Sequence, residues 1–265
     1  MNILITGGNG FVGGFIADHL SREHVIYIPR SRDLDLRNVE AVNHWFDAHD
    51  VDYVVHSALS GREVLSSTDP QYLSDGLLMF RNLWLNRHRF KGLINLGSAY
   101  EMDLNRNNWL VHEHEFLNHL PTTSYGYSKN VIARIIYETE NFYNLRIFGN
   151  FHETESSKRF FKRVISEPEI TIHNDVYMDY VYMADILPMI DLVLTDVVQE
   201  RNINLVYHLK YRLSELANML CDAVGIKKTI NVVQKGTNNL TGDHSLFAAY
   251  DLPLLGLEQG MRNYK

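Results

Sequence analysis

A glycine-rich turn directly after a short apolar run is the feature that most restricts how this chain can fold. Residues 2–6 have the apolar character of a buried strand, and TGGNGFVG at residues 6–13 follows at once and opens a helical pattern. In this strand-turn-helix setting the string is typical of a dinucleotide-binding fingerprint. Its glycines permit a tight turn, close approach of a pyrophosphate to the helix N-terminus, and close packing of helix on strand. The predicted cofactor contacts in the turn are Gly7, Asn9, Gly10, Phe11, Val12 and Gly13.

Apolar runs alternate with segments of helical period through the first half of the 265 residues. This alternation predicts βαβ units in a parallel sheet, and the right-handed rule for crossovers leaves few other topologies. We therefore predict an α/β fold, with a Rossmann doubly wound parallel sheet over residues 1–149 and a smaller C-terminal substrate-binding lobe over residues 150–265 that returns elements to the core. Predicted core strands are 2–6, 24–28, 52–56, 93–98 and 145–148, and predicted helices are 10–20, 38–49, 71–89 and 125–142. In the lobe we predict strands near residue 170, at 177–182 and near residue 206, and helices from residues 185 and 214.

The segment after the second predicted strand indicates which dinucleotide binds. NAD needs a carboxylate there to accept a hydrogen bond from the adenosine ribose, whereas this chain carries Arg30 and Arg32. Guanidinium groups suit the 2′-phosphate of NADP, because a planar fork can donate two hydrogen bonds to it. Two solvated loop arginines would look the same, and Asp33 and Asp35 nearby keep NAD(H) open. The pattern favours NADP(H).

Tyr125 and Lys129 lie four residues apart in a predicted helix, which places them on one face, a turn apart. A lysine ammonium within a few Å lowers the pKa of a phenol and makes it useful for proton transfer. An amphipathic helix with a snorkelling lysine would give the same spacing. However, the fourth predicted strand ends at Ser98, and ligands of such sheets bind beyond the carboxyl ends of the strands. Ser98, Tyr125 and Lys129 are therefore the predicted catalytic residues.

Together these motifs resemble the extended short-chain dehydrogenase/reductase family of NAD(P)-dependent epimerases, dehydratases and reductases of nucleotide sugars. The resemblance covers nearly the whole chain, since DLDL at 33–36, VVHSA at 54–58, DYVYMADI at 179–186, SELA at 214–217 and GLEQGM at 256–261 also follow the family's order. It implies that Ser98 polarises the substrate carbonyl, that Tyr125 exchanges the proton, and that Lys129 binds the nicotinamide ribose and lowers the tyrosine pKa. It also implies adenine contacts from Asp35 and Leu36 and cofactor contacts from Ser57 and Ala58.

Departures from the family's patterns narrow the reaction. Its dehydratases carry an Asp-Glu pair after the catalytic hydroxyl, and its GDP-fucose-forming epimerase-reductases use a cysteine there, whereas Ala99 and Tyr100 follow Ser98 and Glu101 is displaced. The chain is most similar to GDP-fucose-synthase-like 4-ketoreductases. This resemblance predicts NADPH-dependent reduction at C4 of a nucleotide-linked 4-keto(-6-deoxy) sugar in surface-polysaccharide sugar biosynthesis. Two alternatives stay open: a nucleotide-sugar epimerase with tightly bound NAD, and a non-catalytic NADP-sensing module.

The formal net charge of -7 gives no basic footprint for nucleic acid or an anionic membrane. No segment is long and apolar enough for a transmembrane helix, and the apolar start of the chain lacks the basic region of a signal peptide. A single cysteine, Cys221, excludes an internal disulfide, so we expect a cytoplasmic protein. The alternating residues 112–115 (HEHE) are typical of a solvated loop, and we expect no metal.

Apolar residues within 77–85 exceed a single core stripe. The resemblance implies that this helix and the tyrosine-bearing helix pair across a two-fold axis, and two-fold oligomers are common. We therefore expect a homodimer, although simple burial under the sheet would use the same residues. The residues concerned are Leu77, Leu78, Phe80, Leu83, Trp84 and Leu85.

Overall fold

A computed structural model describes residues 1–59 and 68–264; residues 60–67 and 265, which fall within the two predicted domains, lie outside the described residues. The strands are β1 (Asn2–Thr6), β2 (Val25–Tyr27), β3 (Tyr53–His56), β4 (Gly92–Ser98), β5 (Asn108–Val111), β6 (Phe142–Ile147), β7 (Asn150–Phe151), β8 (Glu169–Asp175), β9 (Val181–Tyr182), β10 (Asn202–Leu205), β11 (Thr229–Lys235) and β12 (Leu240–Gly242). The α-helices are α1 (Phe11–Leu20), α2 (Val39–Ala48), α3 (Pro70–Leu85), α4 (Ser124–Tyr137), α5 (Phe160–Ser166), α6 (Leu187–Val193), α7 (Leu213–Val224), α8 (Ser245–Ala249) and α9 (Leu257–Arg262).

The chain folds into two compact units that are interleaved along the sequence. The first unit contains Met1–Asp103, His114–Arg146 and Ile190–Ile203. The second contains Leu104–Glu113, Ile147–Met189 and Asn204–Lys265. Neither unit is therefore one continuous stretch of chain.

The main sheet has six strands in the order β10-β6-β4-β3-β1-β2. β1 pairs in parallel with both β2 and β3, with Ile3 opposite Ile26 on one side and Tyr53 on the other, and β3 pairs in parallel with β4. Because these strands are parallel, the ends of β1, β3 and β4 at Thr6, His56 and Ser98 share one edge of the sheet. This edge holds the candidate site.

The core of the first unit lies between the sheet and its helices. Buried apolar side chains of β1, β3 and β4 pack against those of α2, α3 and α4, and Phe142 of β6 joins the same cluster. α3 and α4 approach closely, since a Cβ at Gly76 of α3 would lie 3.0 Å from the Ser128 hydroxyl of α4. The α/β class and the doubly wound parallel sheet are confirmed.

The second unit has its own core. β8 pairs in parallel with β11, and short pairs join β12 to β5 and β7 to β9. An aromatic group anchors this core, with the Phe151 and Phe161 rings stacked 4.5 Å apart and packed near α7 and α9.

Three predicted elements extend well beyond the helices and strands that form. The helix predicted over residues 125–142 ends at Tyr137; Asn141 has a φ of 59°, and β6 begins at Phe142. The helix predicted over residues 71–89 ends at Leu85, and a 3₁₀ turn spans Arg87–Arg89. Of the strand predicted at 177–182, only Val181–Tyr182 forms a strand, because Tyr177 and Met178 make isolated bridges. In each case the apolar periodicity continues past the residues at which the helix or strand begins or ends, so the predicted element was too long.

The strand predicted near residue 206 in the smaller lobe is β10, the edge strand of the main sheet. All four of its residues are buried. The alternating Asn-Ile-Asn-Leu sequence does not indicate this burial. Asn204 can be buried because its side-chain amide donates to the Val111 carbonyl at 2.9 Å. Among the described strands and α-helices, seven were not predicted: β5, β7, β11, β12, α5, α8 and α9.

Candidate active site

The glycine turn lies against the segment that follows β3. Gly7 has a φ of 71°, a conformation that favours glycine, and a Cβ there would lie 2.7 Å from the Ala58 Cα. A Cβ at Gly13 would lie 2.5 Å from the Gly7 carbonyl oxygen and 3.1 Å from the Ser57 hydroxyl. Glycine is therefore required at both positions, and Ser57 and Ala58 form the surface against which the turn packs.

α1 starts directly from this turn. Its N-cap is Gly10, which has no side chain that could cap the helix. A helix N-terminus presents main-chain N–H groups and a partial positive charge, which together favour an anion. The geometry at Gly10, Phe11 and Val12 thus suits a pyrophosphate, and their cofactor contacts stay predictions.

A cavity of about 610 Å³ opens beside the glycine turn. Its size lies within the usual range of about 300–1,000 Å³ for small-molecule sites. Predicted cofactor residues that meet in its wall are Gly7, Asn9, Arg30, Asp35, Leu36 and Ala58. Other described residues in the wall are Thr6, Pro29, Ser31, Leu34, Arg37, Leu59 and Met79. Within the described parts of the chain, the wall does not include Gly10, Phe11, Val12, Gly13, Arg32 or Ser57.

Among the described residues, the cavity wall contains Arg37, which was not predicted, and not the predicted Arg32. Its guanidinium donates to both carboxylate oxygens of Asp35, at 2.9 and 3.0 Å, and to Asp75 at 3.4 Å. The hydrogen bond from Arg37 is the main reason why the pKa of Asp35 lies below its usual value. Arg32 instead lies 3.6 Å from Asp33 with its side chain 73% exposed. A third arginine just after the Asp35-Leu36 pair was the available signal.

These residues fit a nicotinamide dinucleotide. Gly7 lies in the cavity wall and has no side chain, so the wall at this point is main chain, as a pyrophosphate requires. Leu34 and Leu36 supply apolar wall for an adenine, and Arg30 and Arg37 supply cationic hydrogen-bond donors.

Ser98, Tyr125 and Lys129 come together at the end of β4. Ser98 is the last residue of that strand, and Tyr125 lies in the first turn of α4, where Thr123 caps the helix by accepting the Gly126 N–H at 3.1 Å. A Cβ at Gly126 would lie 2.5 Å from the Tyr100 carbonyl oxygen, so this glycine lets α4 approach the strand end. The Ser98 side chain hydrogen-bonds to Tyr125.

The three residues are all buried, and burial dominates their acid-base properties. It raises the pKa of Tyr125 to about 12, against a smaller lowering by the Ser98 hydrogen bond. It lowers the pKa of Lys129 to about 8, while the charge of Glu101 acts in the opposite direction. Lys129 Nζ donates to the Leu96 carbonyl at 2.8 Å. The expected lowering of the tyrosine pKa by Lys129 thus finds no support in this arrangement, in which Tyr125 keeps its proton at neutral pH.

His56 lies beneath this cluster at the end of β3. Its Nδ1 is 2.8 Å from the Thr6 hydroxyl. Burial lowers the pKa of His56 to about 3, and the nearby charge of Lys129 acts in the same direction. His56 is therefore neutral at physiological pH.

A buried polar network behind Ser98 was not predicted. Glu101 and Arg146 are both fully buried, and Arg146 Nε donates to Glu101 at 2.7 Å. Asn144 Nδ2 donates to the same carboxylate and to Asn202 at 3.0 Å. The four-residue Ser-Ala-Tyr-Glu string of 98–101 was the available signal, because it forms a capping box in the structure.

Comparison with known proteins identifies the family. A family described as "NAD dependent epimerase/dehydratase family" matches residues 3–206. The chain belongs to this family. It is an NAD(P)-dependent oxidoreductase, as its motifs predicted.

Two individual relatives of this chain agree with the subgroup expected from its sequence. GDP-L-colitose synthase from Yersinia pseudotuberculosis is 20% identical over 258 residues, covering 86% of this chain and 84% of that protein. GDP-L-fucose synthase from Azorhizobium caulinodans is 39% identical over 102 residues, covering 37% of this chain and 33% of that protein. The predicted resemblance to GDP-fucose-synthase-like reductases is therefore confirmed.

Solved structures confirm the predicted fold. A GDP-mannoheptose C4 reductase from Campylobacter jejuni, with NADP bound, superposes with a TM-score of 0.83 at 17% identity, covering 99% of this chain and 96% of that one.

Among the described residues of this family member, none of the helices has the length and apolar character needed to cross a membrane.

Proposed function

We propose that this family member is an NADPH-dependent reductase of a nucleotide-linked 4-keto(-6-deoxy) sugar, with hydride delivered to C4 and a proton from Tyr125. The observation that carries the proposal is the buried Ser98-Tyr125-Lys129 cluster, in which the phenol keeps its proton because its pKa is about 12. A reductase needs a protonated donor at the moment the ketone oxygen gains charge.

Each buried side chain has a defined task in this reduction. NADPH, when bound, supplies the hydride that the C4 carbonyl carbon takes up. Ser98 donates a hydrogen bond to the ketone oxygen, and Tyr125 passes its phenolic proton to that oxygen, so the ketone becomes an alcohol. Lys129 binds the nicotinamide ribose in this proposal, and a solvent proton later replaces the one that Tyr125 transfers.

The cavity wall supports NADP(H) over NAD(H). Arg30, Ser31 and Arg37 all lie in this wall. Both carboxylate oxygens of Asp35 already accept hydrogen bonds from Arg37. NAD would need a carboxylate free to accept from the ribose 2′-hydroxyl. We propose that Arg30 and Arg37, rather than Arg30 and Arg32, bind the 2′-phosphate. The NADP bound to the Campylobacter reductase is consistent with NADP(H) as the cofactor.

The names of the relatives support the substrate class. Colitose synthase, fucose synthase and mannoheptose C4 reductase each carry the GDP prefix. Ala99 and Tyr100 occupy the positions after Ser98 where the dehydratases and epimerase-reductases carry acid-base groups. Plain ketone reduction therefore needs the fewest groups beyond those present.

The test is loss of NADPH absorbance with GDP-, CDP- and dTDP-linked 4-keto-6-deoxy sugars, with NADH in parallel. We expect turnover with one nucleotide series and NADPH. No turnover across the panel, together with NAD released from the denatured protein, would instead favour an epimerase with tightly bound NAD. NADP release without turnover would favour a sensing module.

We also propose a homodimer formed through α3 and α4. Phe80 and Leu83 belong to the unit's own core, whereas Leu78 is 39% exposed and Tyr137 of α4 is 43% exposed. Leu77, Trp84 and Leu85 are partly buried. Sedimentation velocity should show a dimer at micromolar concentration that Leu78→Glu dissociates; a monomeric wild-type protein would contradict the proposal.

A further inference from the structure

Glu101 makes an unusually complete set of hydrogen bonds one turn beyond Ser98. Its Oε1 accepts the Ser98 N–H at 2.9 Å, and its Oε2 accepts from Arg146 Nε at 2.7 Å. Asn144 Nδ2 donates to both oxygens, at 3.2 and 3.0 Å. A buried carboxyl group with this many donors is held in one orientation.

The main chain is shaped to admit this carboxylate. A Cβ at Gly97 would lie 2.6 Å from Glu101 Oε1 and 2.5 Å from Asn144 Oδ1. Gly97 therefore leaves the space in which the carboxylate reaches the Ser98 N–H.

Glu101 also connects the strand end to the helix that carries Tyr125 and Lys129. Asn130, the residue after Lys129, donates from Nδ2 to the Glu101 carbonyl at 2.7 Å. The side chain of Glu101 thus fixes Ser98, and its main chain holds α4.

Several titratable groups face the catalytic pair from the surrounding elements. His56 of β3 and Tyr72 of α3 share a small cavity with Tyr125 and Lys129, and the Tyr100 ring packs edge-on to Tyr125 with centroids 5.7 Å apart. On α3, the Asp75 carboxylate accepts from Arg37 and Gln71. The negative charge of Glu101 raises the pKa of both Tyr125 and Lys129.

We propose that Glu101 is a positioning residue: its carboxyl group fixes the Ser98 main chain at the end of β4, its carbonyl holds α4 through Asn130, and its buried side chain contributes to the electrostatic environment of Lys129. Its importance for turnover rests on the proposed reductase function. Its effect on Lys129 does not, because that effect belongs to the folded protein alone.

A purely structural Glu101-Arg146 pair would behave differently. It would change folding stability when altered but leave the titration of Lys129 where it is. The titration is therefore the deciding measurement.

The experiment uses the full chain labelled with ¹³C at lysine Cε, whose chemical shift reports ionisation of the amine. The Lys129 signal is assigned with Lys129→Arg. Glu101→Gln removes the charge at constant size, and Glu101→Gln/Arg146→Gln avoids leaving Arg146 as an unpaired buried charge, which could prevent folding. Glu138→Gln, an exposed glutamate at the end of α4, is the matched control.

In the wild type the pKa of Lys129 should be about 8, and Glu138→Gln should leave it unchanged. In both Glu101 variants it should titrate roughly one pH unit lower, because a nearby opposite charge has been removed. An unchanged Lys129 titration in a folded Glu101 variant would overturn the inference.

Turnover gives the second readout. If the reductase function holds, Glu101→Gln should lower kcat far more than it raises KM, and its activity should fall at a lower alkaline pH than in the wild type. A protein that turns over no keto-sugar but shows the lysine shift would refute the proposed function while leaving the role of Glu101 intact. Turnover with no lysine shift would do the reverse.

Discussion

The cavity at the glycine turn and the cluster at the end of β4 lie in the same unit but hold their charges in opposite ways. At the cavity, Arg37 has 49% of its side chain exposed and meets Asp35 at the protein surface. Behind Ser98, Glu101 and Arg146 are fully buried and bond to each other and to asparagines. A surface charge is screened by water and can be lost at small cost, whereas one member of a buried pair cannot. Changes at the cavity should therefore alter cofactor affinity, and changes behind Ser98 should alter chemistry and stability together.

The largest effect tests the chemical end of this comparison. Tyr125→Phe should lower kcat by about 10²- to 10⁴-fold, because general acid catalysis is lost. NADPH affinity and thermal stability should change little, since only the hydroxyl is removed. Steady-state kinetics and a thermal melt measure the two effects. Tyr137→Phe, on the exposed face of the same helix, is the control, and equal activity in both variants would exclude Tyr125 as the proton donor.

Gly13→Ala tests whether the turn depends on main-chain contact. The added Cβ would lie 2.5 Å from the Gly7 carbonyl, so we expect a loss of about 1–3 kcal/mol in unfolding free energy together with weaker dinucleotide binding. Urea unfolding and cofactor fluorescence provide the readouts. Gly14→Ala, whose Cβ would lie 3.2 Å from the Gly8 carbonyl, should cost less. The interpretation fails if the two variants are indistinguishable.

Arginine substitutions sharpen the assignment of the 2′-phosphate site. Arg30→Ala and Arg37→Ala should each weaken NADPH binding by about tenfold, because a charge-assisted hydrogen bond contributes about 1.5 kcal/mol. NADH binding should be nearly unchanged, and calorimetry with both cofactors measures the difference. Arg32→Ala should behave as the wild type; if it alone weakens NADPH binding, the original pairing of Arg30 with Arg32 is correct.

The smallest effect, when expressed per pH unit, concerns stability in acid. His56 has a pKa of about 3 in the fold against 6.5 for the free side chain, so between these values the unfolded chain binds more protons than the folded one. Unfolding free energy should therefore rise with pH across this window, by up to about 1.4 kcal/mol per pH unit from this residue. His56→Gln should flatten that slope in denaturant titrations. His88→Gln, at an exposed position, should keep it, and a wild-type slope in His56→Gln would contradict the assignment.

The same contrast explains what could be predicted from sequence. Gly7 and Gly13 lie in one glycine-rich turn that is visible in the sequence, and Tyr125 and Lys129 are related by one helical turn, so local spacing located all four. The Glu101-Arg146 pair depends on the 3₁₀ turn after β4 meeting β6 in space, which spacing along the chain does not encode. Arg37 was missed for a similar reason, because its neighbour Asp75 comes from α3.

Burial misled the prediction of acid-base properties. A tyrosine four residues before a lysine indicates a lowered phenol pKa only if both groups stay hydrated enough for the ammonium to dominate. In the fold, desolvation raises the pKa of Tyr125 and lowers that of Lys129. β10 was predicted only as a strand near residue 206, and neither its place at the edge of the main sheet nor the burial of all four of its residues followed from its sequence.

The place of β10 at the edge of the main sheet has a consequence during synthesis. β10 pairs beside β6, yet a ribosome makes β7, α5, β8, β9 and α6 between them. Until β10 emerges, the outer edge of β6 presents unpaired main-chain groups, which attract strands of other chains. The nascent protein should therefore be most prone to aggregation in that interval, and a pause in translation after β6 would prolong the hazard without altering the finished fold.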